Sequence, residues 1–224
     1  MPLALAGSLA LFAPLALDWP TWASLATAAG TLVLAIATFA SVRSANRSAR
    51  VAEQALQERR RPVLSASRLE DPLQKIRFVD DHWVRVAGAG AVAEHTDGNT
   101  YLAISLRNLG AGLGVLQAWI VTSGINTSRE HADLPQFRTQ TRDLYIAPGD
   151  VGLWQAALRD PADDAYAQVA AAATQREALS VELLYSDQVG EQRTISRFLI
   201  TPAGEDRWIA SVGRHWFLDR DGPR

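Results

Sequence analysis

Residues 19–42 read WPTWASLATAAGTLVLAIATFASV, twenty-four consecutive positions without a charged side chain. As a helix, Thr21 to Val42 rises about 33 Å at ~1.5 Å per residue, enough to cross a hydrocarbon core of ~30 Å. A soluble helix this long shows a polar face, and this one shows none. Trp19 and Trp22 stand at one end, where indole rings favour the headgroup layer. Arg43, Arg47 and Arg50 stand at the other. By the positive-inside rule the arginine end is cytoplasmic. The reading is a transmembrane helix over 19–42, a basic juxtamembrane helix over 43–61 and a cytoplasmic domain over 62–224.

Charge distribution supports this division. Residues 1–42 carry Asp18 alone, residues 43–62 carry a net +4, and residues 63–224 carry a net −5. A basic collar between an uncharged segment and an acidic domain is a membrane pattern, and the acidic domain argues against nucleic-acid binding. There is no cysteine, which excludes disulfides and thiolate metal sites. The apolar N-terminal segment 1–18 reads in three ways: a signal peptide, a second short span, or a tail outside the membrane. Without Lys or Arg in its n-region the first is the weakest, and a single crossing with the N-terminus outside is preferred. The partner on this side of the chain is the lipid bilayer of the inner (plasma) membrane. Ala26 and Gly30 form a small-xxx-small pair, and Ala45, Ala49, Ala52 and Leu56 continue a stripe beyond it, so a weak homo-oligomer through this helix is a further expectation.

Pro62 ends the helical text, because it pushes the preceding residue out of the α region. From there short β-branched and aromatic runs alternate with Gly, Pro, Asn and Asp clusters. The expected strands lie at 62–69, 75–86, 100–108, 113–123, 137–146, 150–157, 179–186, 191–200 and 207–212. Tyr101 to Asn108 alternates cleanly between two faces, as a strand buried on one side does. One helix is expected over 161–176, opened by Asp160, Pro161, Asp163 and Asp164. The fold class is mainly β: an Ig-like antiparallel β-sandwich with one inserted helix, preceded by the transmembrane helix.

RPVL at 61–64, LAISLRNLGAGLGVL at 102–116 and YIAPGD at 145–150 resemble segments of bacterial membrane-anchored β-sandwich proteins. Together with DWPTW at 18–22 and LLYSDQVGEQRTISRF at 183–198, the chain is similar to a group of actinobacterial membrane proteins. The resemblance implies an anchor and an Ig-like domain, and it brings no activity with it. One lysine against twenty-one arginines, with abundant alanine, agrees with a high-GC bacterial genome.

Chemistry-bearing patterns are sparse. NLGAGLG at 108–114 lacks the GxGxxG spacing, and the run after it, VLQAWIV, is strand-like, so the cluster reads as a turn rather than a phosphate cradle. His82, His95, His131 and His215 show no ligand spacing. Asp80 and His82 share a strand face, but zinc needs three or four convergent ligands. No serine sits in a GxSxG elbow. Trp119 and Trp154 are assigned to the core, and Asp187 to turn hydrogen bonds. The tail RWIASVGRHWFLDR offers Trp208, Arg214 and Trp216 as a partner surface, against the plainer reading of a closing strand. The functional expectation is a membrane-anchored, non-catalytic interaction or scaffold protein whose β-sandwich binds a protein partner, with no cofactor. The alternatives are a small-ligand sensor or enzyme using a pocket in the β domain, and a structural subunit of a larger membrane complex.

Overall fold

The computed structural model describes residues 18–58 and 60–219. The reading of residues 1–17 therefore lies outside the described residues, as does Arg220. The chain divides into two compact units after Gln54.

The first unit is built on α1, Trp19–Glu58, a continuous helix of 40 residues. It starts where Asp18 offers its carbonyl to the amides of Thr21 and Trp22, and Pro20 costs no hydrogen bond in that first turn. None of its apolar window is buried. The hydroxyls of Thr27, Thr31 and Thr38 bond back to carbonyls four residues earlier at 2.7–2.9 Å. These three hydroxyls are thus bonded within the helix itself. The helix runs past Val42 without a break, so the segments read as transmembrane and juxtamembrane are one element.

The second unit is mainly β. Its strands are β1 (Leu64–Ala66), β2 (Gln74–Arg77), β3 (Trp83–Val86), β4 (Gly90–Thr96), β5 (Asn99–Asn108) and β6 (Gly114–Ser123). There follow β7 (Arg138–Ile146), β8 (Val151–Leu158), β9 (Leu179–Ser186), β10 (Thr194–Ala203) and β11 (Arg207–Phe217). A single helix, α2 (Tyr166–Gln175), interrupts them. Nine strands form one antiparallel sheet in the order β1-β5-β4-β11-β10-β9-β6-β7, with β8 on the other edge of β5. The end strands β7 and β8 are consecutive in sequence, so the sheet curls into a half-barrel. Bulges at Arg197/Phe198 and Leu116/Ala118 add to its twist.

The core fills the concave side. Leu102, Ile104, Trp154, Val181, Leu183, Phe198 and Ile200 meet there beneath Val169, Ala172 and Ala173 of α2. A smaller second core lies on the convex side, where the two-stranded sheet β2–β3 places Ile76, Phe78, Val84 and Val86 against Tyr101 and Ala103. The expected sandwich is thus met as an antiparallel, mainly β domain with one inserted helix. Its second layer is only a hairpin, and the remaining strands belong to one curled sheet.

The observed elements differ from the expected ones in several places, and the last strand runs on from 212 to Phe217. The 75–86 run is two strands, because Asp81 turns the chain with φ +61°. Strand β4 was not anticipated. The helix begins at Tyr166 rather than 161, since Asp160 and Asp163 accept bonds from the Ala162 and Ala165 amides and hold the chain in turns up to that point.

Candidate functional site

The motifs RPVL, NLGAGLG and YIAPGD converge on one place, the neck where the chain enters the β domain. Asn108, fully buried, stands at its centre. Its Oδ1 accepts the Val63 and Gly110 amides, and its Nδ2 donates to the carbonyls of Gly112 and Ile146 at 2.6 and 3.0 Å. Backbone bonds from Leu109 to Val63 and from Ala111 to Arg61 complete the seat. A Cβ on Gly110 would lie 2.3 Å from the Arg61 carbonyl oxygen, and one on Gly112 only 1.6 Å from that of Arg60. The glycines therefore serve a close backbone approach, which agrees with the reading of the cluster as a turn.

Arg61 of this neck is 5 % exposed. It forms a two-pronged ion pair with Asp219 and lies 4.5 Å over the Phe217 ring. The beginning and the end of the domain are thereby fastened to each other. Beneath them Leu64 donates its amide to the Tyr185 hydroxyl, which bonds Ser196, and Ser196 meets His215 Nδ1 at 2.6 Å. Burial pushes the Tyr185 phenol up to about 12 and pulls His215 below its ordinary value, so both are neutral at pH 7. Ser196 is fully buried. The serine–histidine contact thus joins the paired strands β10 and β11, with Tyr185 carrying the chain of bonds on to β1, and Ser196 is not reachable as a nucleophile.

The convex face carries a second polar centre. Arg197 and Glu182, 5 % and 3 % exposed, pair at 2.6 and 2.8 Å. Arg197 also donates to the carbonyls of Asn126, Ser128 and Glu130, while Glu182 accepts the Ala132 amide. The pair thus straps the 124–133 loop onto the sheet. Arg214 and Trp216, expected on a partner surface, both donate to the Arg129 carbonyl of this loop, at 3.3 and 3.1 Å. Trp208 lies at the far end of the same strand, 7 % exposed in the main core, with the Arg176 guanidinium 5.0 Å over its ring. The three do not form one surface. Trp208 alternates inward along β11, and the other two are held by the loop. Trp119 and Trp154 are in the core and meet edge to face at 5.6 Å. Asp187 accepts the Glu191 and Gln192 amides in the β9–β10 turn, as expected.

Trp19 and Trp22 are exposed on the first turn of α1, and Arg43, Arg47 and Arg50 are exposed beyond its apolar part. Asp80 and His82 both reach Tyr101: Asp80 accepts its hydroxyl at 2.6 Å, and His82 stacks on its ring at 4.0 Å. Arg159 also donates to Asp80. Burial raises the Asp80 carboxyl, but the bonds from Tyr101 and Arg159 outweigh it and hold the group down at about 2. Among the described residues no three His, Asp or Glu side chains gather as metal ligands.

One open groove of about 580 Å³ runs along the seam where β4 and β11 part, because these strands pair only at Ala91–Trp208 and Gly90–Ile209. Leu69, Trp83 and Ile209 on its wall are 79 %, 59 % and 42 % exposed. Sequence reasoning missed this groove. Its signal was the solvent-facing Trp83 and Ile209, which alternation alone does not separate from core residues.

No family model, curated protein or solved structure matches the chain. Of the resemblance read from the sequence, the arrangement stands: an apolar N-terminal helix followed by a mostly β antiparallel domain.

Proposed function

We propose that the chain is a membrane-anchored, non-catalytic interaction protein whose β domain binds a protein partner on the cytoplasmic side. The anchor rests on an exposed apolar span closed by arginines. The partner reading rests on the seam groove. There Leu69, Trp83 and Ile209 expose apolar surface beside residues 92–96 of β4, which pair with β5 on one side and, among the described residues, with no strand on the other. An unpaired strand edge with apolar pockets beside it is what an extended segment of another protein adds to. Glu94, Arg85 and Arg207 rim the groove with both signs of charge, so the fitting occupant is an extended segment led by an apolar side chain.

The test places a photo-crosslinking residue at Leu69 or Ile209 of the full chain in its native membrane, with Val79, 91 % exposed outside the groove, as the comparison. The expected result is a discrete protein adduct from the groove positions, lost when Trp83→Glu is added. Identical adducts from Val79, or none anywhere, overturn partner binding. Extraction of the chain by alkaline carbonate overturns the anchor separately.

A further inference from the structure

From the geometry of α1 we infer that Arg43, Arg47 and Arg50 form a one-sided site for the phosphoryl headgroup of an acidic phospholipid; the inference rests on the membrane reading above. At 100° per residue the three arginines fall within an arc of about 60°, so they share one face of the helix. Phe39, Val42 and Asn46 line the same groove as these arginines. Ala45, Ala49, Ala52 and Leu56 lie on the opposite side. A collar meant only to stop translocation has no need of one face; a bound ligand does.

The groove suits an amphipathic anion. Among the described residues no carboxylate pairs with Arg43, Arg47 or Arg50, and all three are exposed. Guanidinium forks match phosphate oxygens in pairs of hydrogen bonds, and a headgroup phosphate carries the complementary charge. Side chains on a helix lean toward its N-terminus, here back toward the apolar span. Arg50, about 10 Å beyond Arg43 along the axis, therefore reaches back toward the headgroup layer. Phe39, one turn before Arg43, and Val42, adjacent to it, belong to the apolar span and offer surface along which the lipid's acyl chain lies. A free phosphate gains nothing from them.

The full chain is reconstituted in phosphatidylcholine vesicles, and its preference for spin-labelled phosphatidylglycerol over spin-labelled phosphatidylcholine is read from the motionally restricted fraction. A preference of at least about fivefold is expected, the fold-change that a single arginine acting near an acidic headgroup supplies. It is retained in 10 mM inorganic phosphate. It falls toward one in a variant that exchanges neighbours, Arg47→Ser with Ser48→Arg and Arg50→Val with Val51→Arg. This variant keeps the net charge but spreads the arginines around the helix. A preference that survives the exchange overturns the one-sided site and leaves an unspecific collar. Competition by phosphate overturns the lipid in favour of a free anion. No preference in the parent chain, with a restricted fraction present, assigns the face to an acidic protein segment instead. Absence of any restricted fraction shows that the chain is not in the bilayer, and it overturns the anchor along with the site.

Discussion

Arg197 sits 5 % exposed on the convex face, with Glu182 on one side and three loop carbonyls on the other. Removing it strands the Glu182 carboxylate in a buried place and unfastens the 124–133 loop. Breaking one side of a buried pair costs about 3–5 kcal/mol, far above the ~1 kcal/mol of a surface pair. Arg197→Met is therefore expected to lose about that much in urea unfolding of the detergent-solubilised chain, and to open the bond after Arg129 to trypsin before global unfolding. An unchanged trypsin pattern would show that Arg214 and Trp216 hold the loop by themselves. At the neck, Gly112→Ala forces a methyl against the Arg60 carbonyl. Overpacking of this kind costs about 1–3 kcal/mol, whereas Gly213→Ala, whose nearest contact is at 3.8 Å, is expected to cost less. Acid sensitivity has a residue-level origin too. Asp80 titrates near 2 in the fold and near 4 unfolded, so its contribution is complete above about pH 4 and lost as pH falls through 2. His215, lowered by burial, acts in the same direction from about pH 6.5 downward. Melting curves of Tyr101→Phe are expected to show a smaller loss of stability between pH 4 and 2 than the parent chain.

Among the elements, β4 shows where sequence legibility stopped. GAVAEHT has low strand propensity, and nothing in its composition marks it. It is a strand because small side chains let two layers close on it, α2 over Ala91 and Ala93, and the β2–β3 hairpin over Val92. The local clue was Asp97-Gly98, both with positive φ, joining β4 to β5 as a two-residue turn. Gly98→Ala is expected to cost about 1 kcal/mol in the same urea assay. Alternation located most other strands within two residues, since burial of one face writes a period of two into the text. It says which face a residue takes but not which strand lies beside it, so one curled sheet read as two facing ones. Candidate residues fared less evenly. Asn108 and its glycines were conspicuous, but Arg61, Tyr185, Ser196 and Arg197 carry no local pattern, and their meeting depends on strands far apart in sequence. Arg176 closes α2 with φ +54°, a conformation that favours glycine by about 1 kcal/mol. Against that stand two hydrogen bonds to the Gly204 and Arg207 carbonyls and the stacking on Trp208. Two such bonds are worth about 1–3 kcal/mol together. Arg176→Gly is accordingly expected to destabilise, and a rise in stability would show that backbone strain dominates this cap.

For the molecule as a whole, the deciding quantity is the asymmetry of charge about the span. Before Trp19 stands one acidic residue and no basic one, while Arg43, Arg47 and Arg50 follow Val42 within eight residues. Arginine close to a span resists translocation and acidic residues contribute little, so in the topology proposed above the arginine end stays in the cytoplasm whether residues 1–17 cross or not. The β domain follows that end in the chain and, in the same proposal, goes with it. A C-terminal fusion to a reporter active only in the cytoplasm is expected to give signal, and one active only outside to give none. Replacing the three arginines with glutamine removes the asymmetry, and a fraction of the chains is then expected to report from outside. The neighbour-exchange variant keeps the arginines within the same stretch, so it is expected to retain the parental topology even where it loses lipid preference. In this proposal, orientation depends on how much charge follows the span, and lipid binding on which face carries it. A parent chain reporting from outside would reverse the positive-inside assignment, and the seam groove would then face partners beyond the membrane.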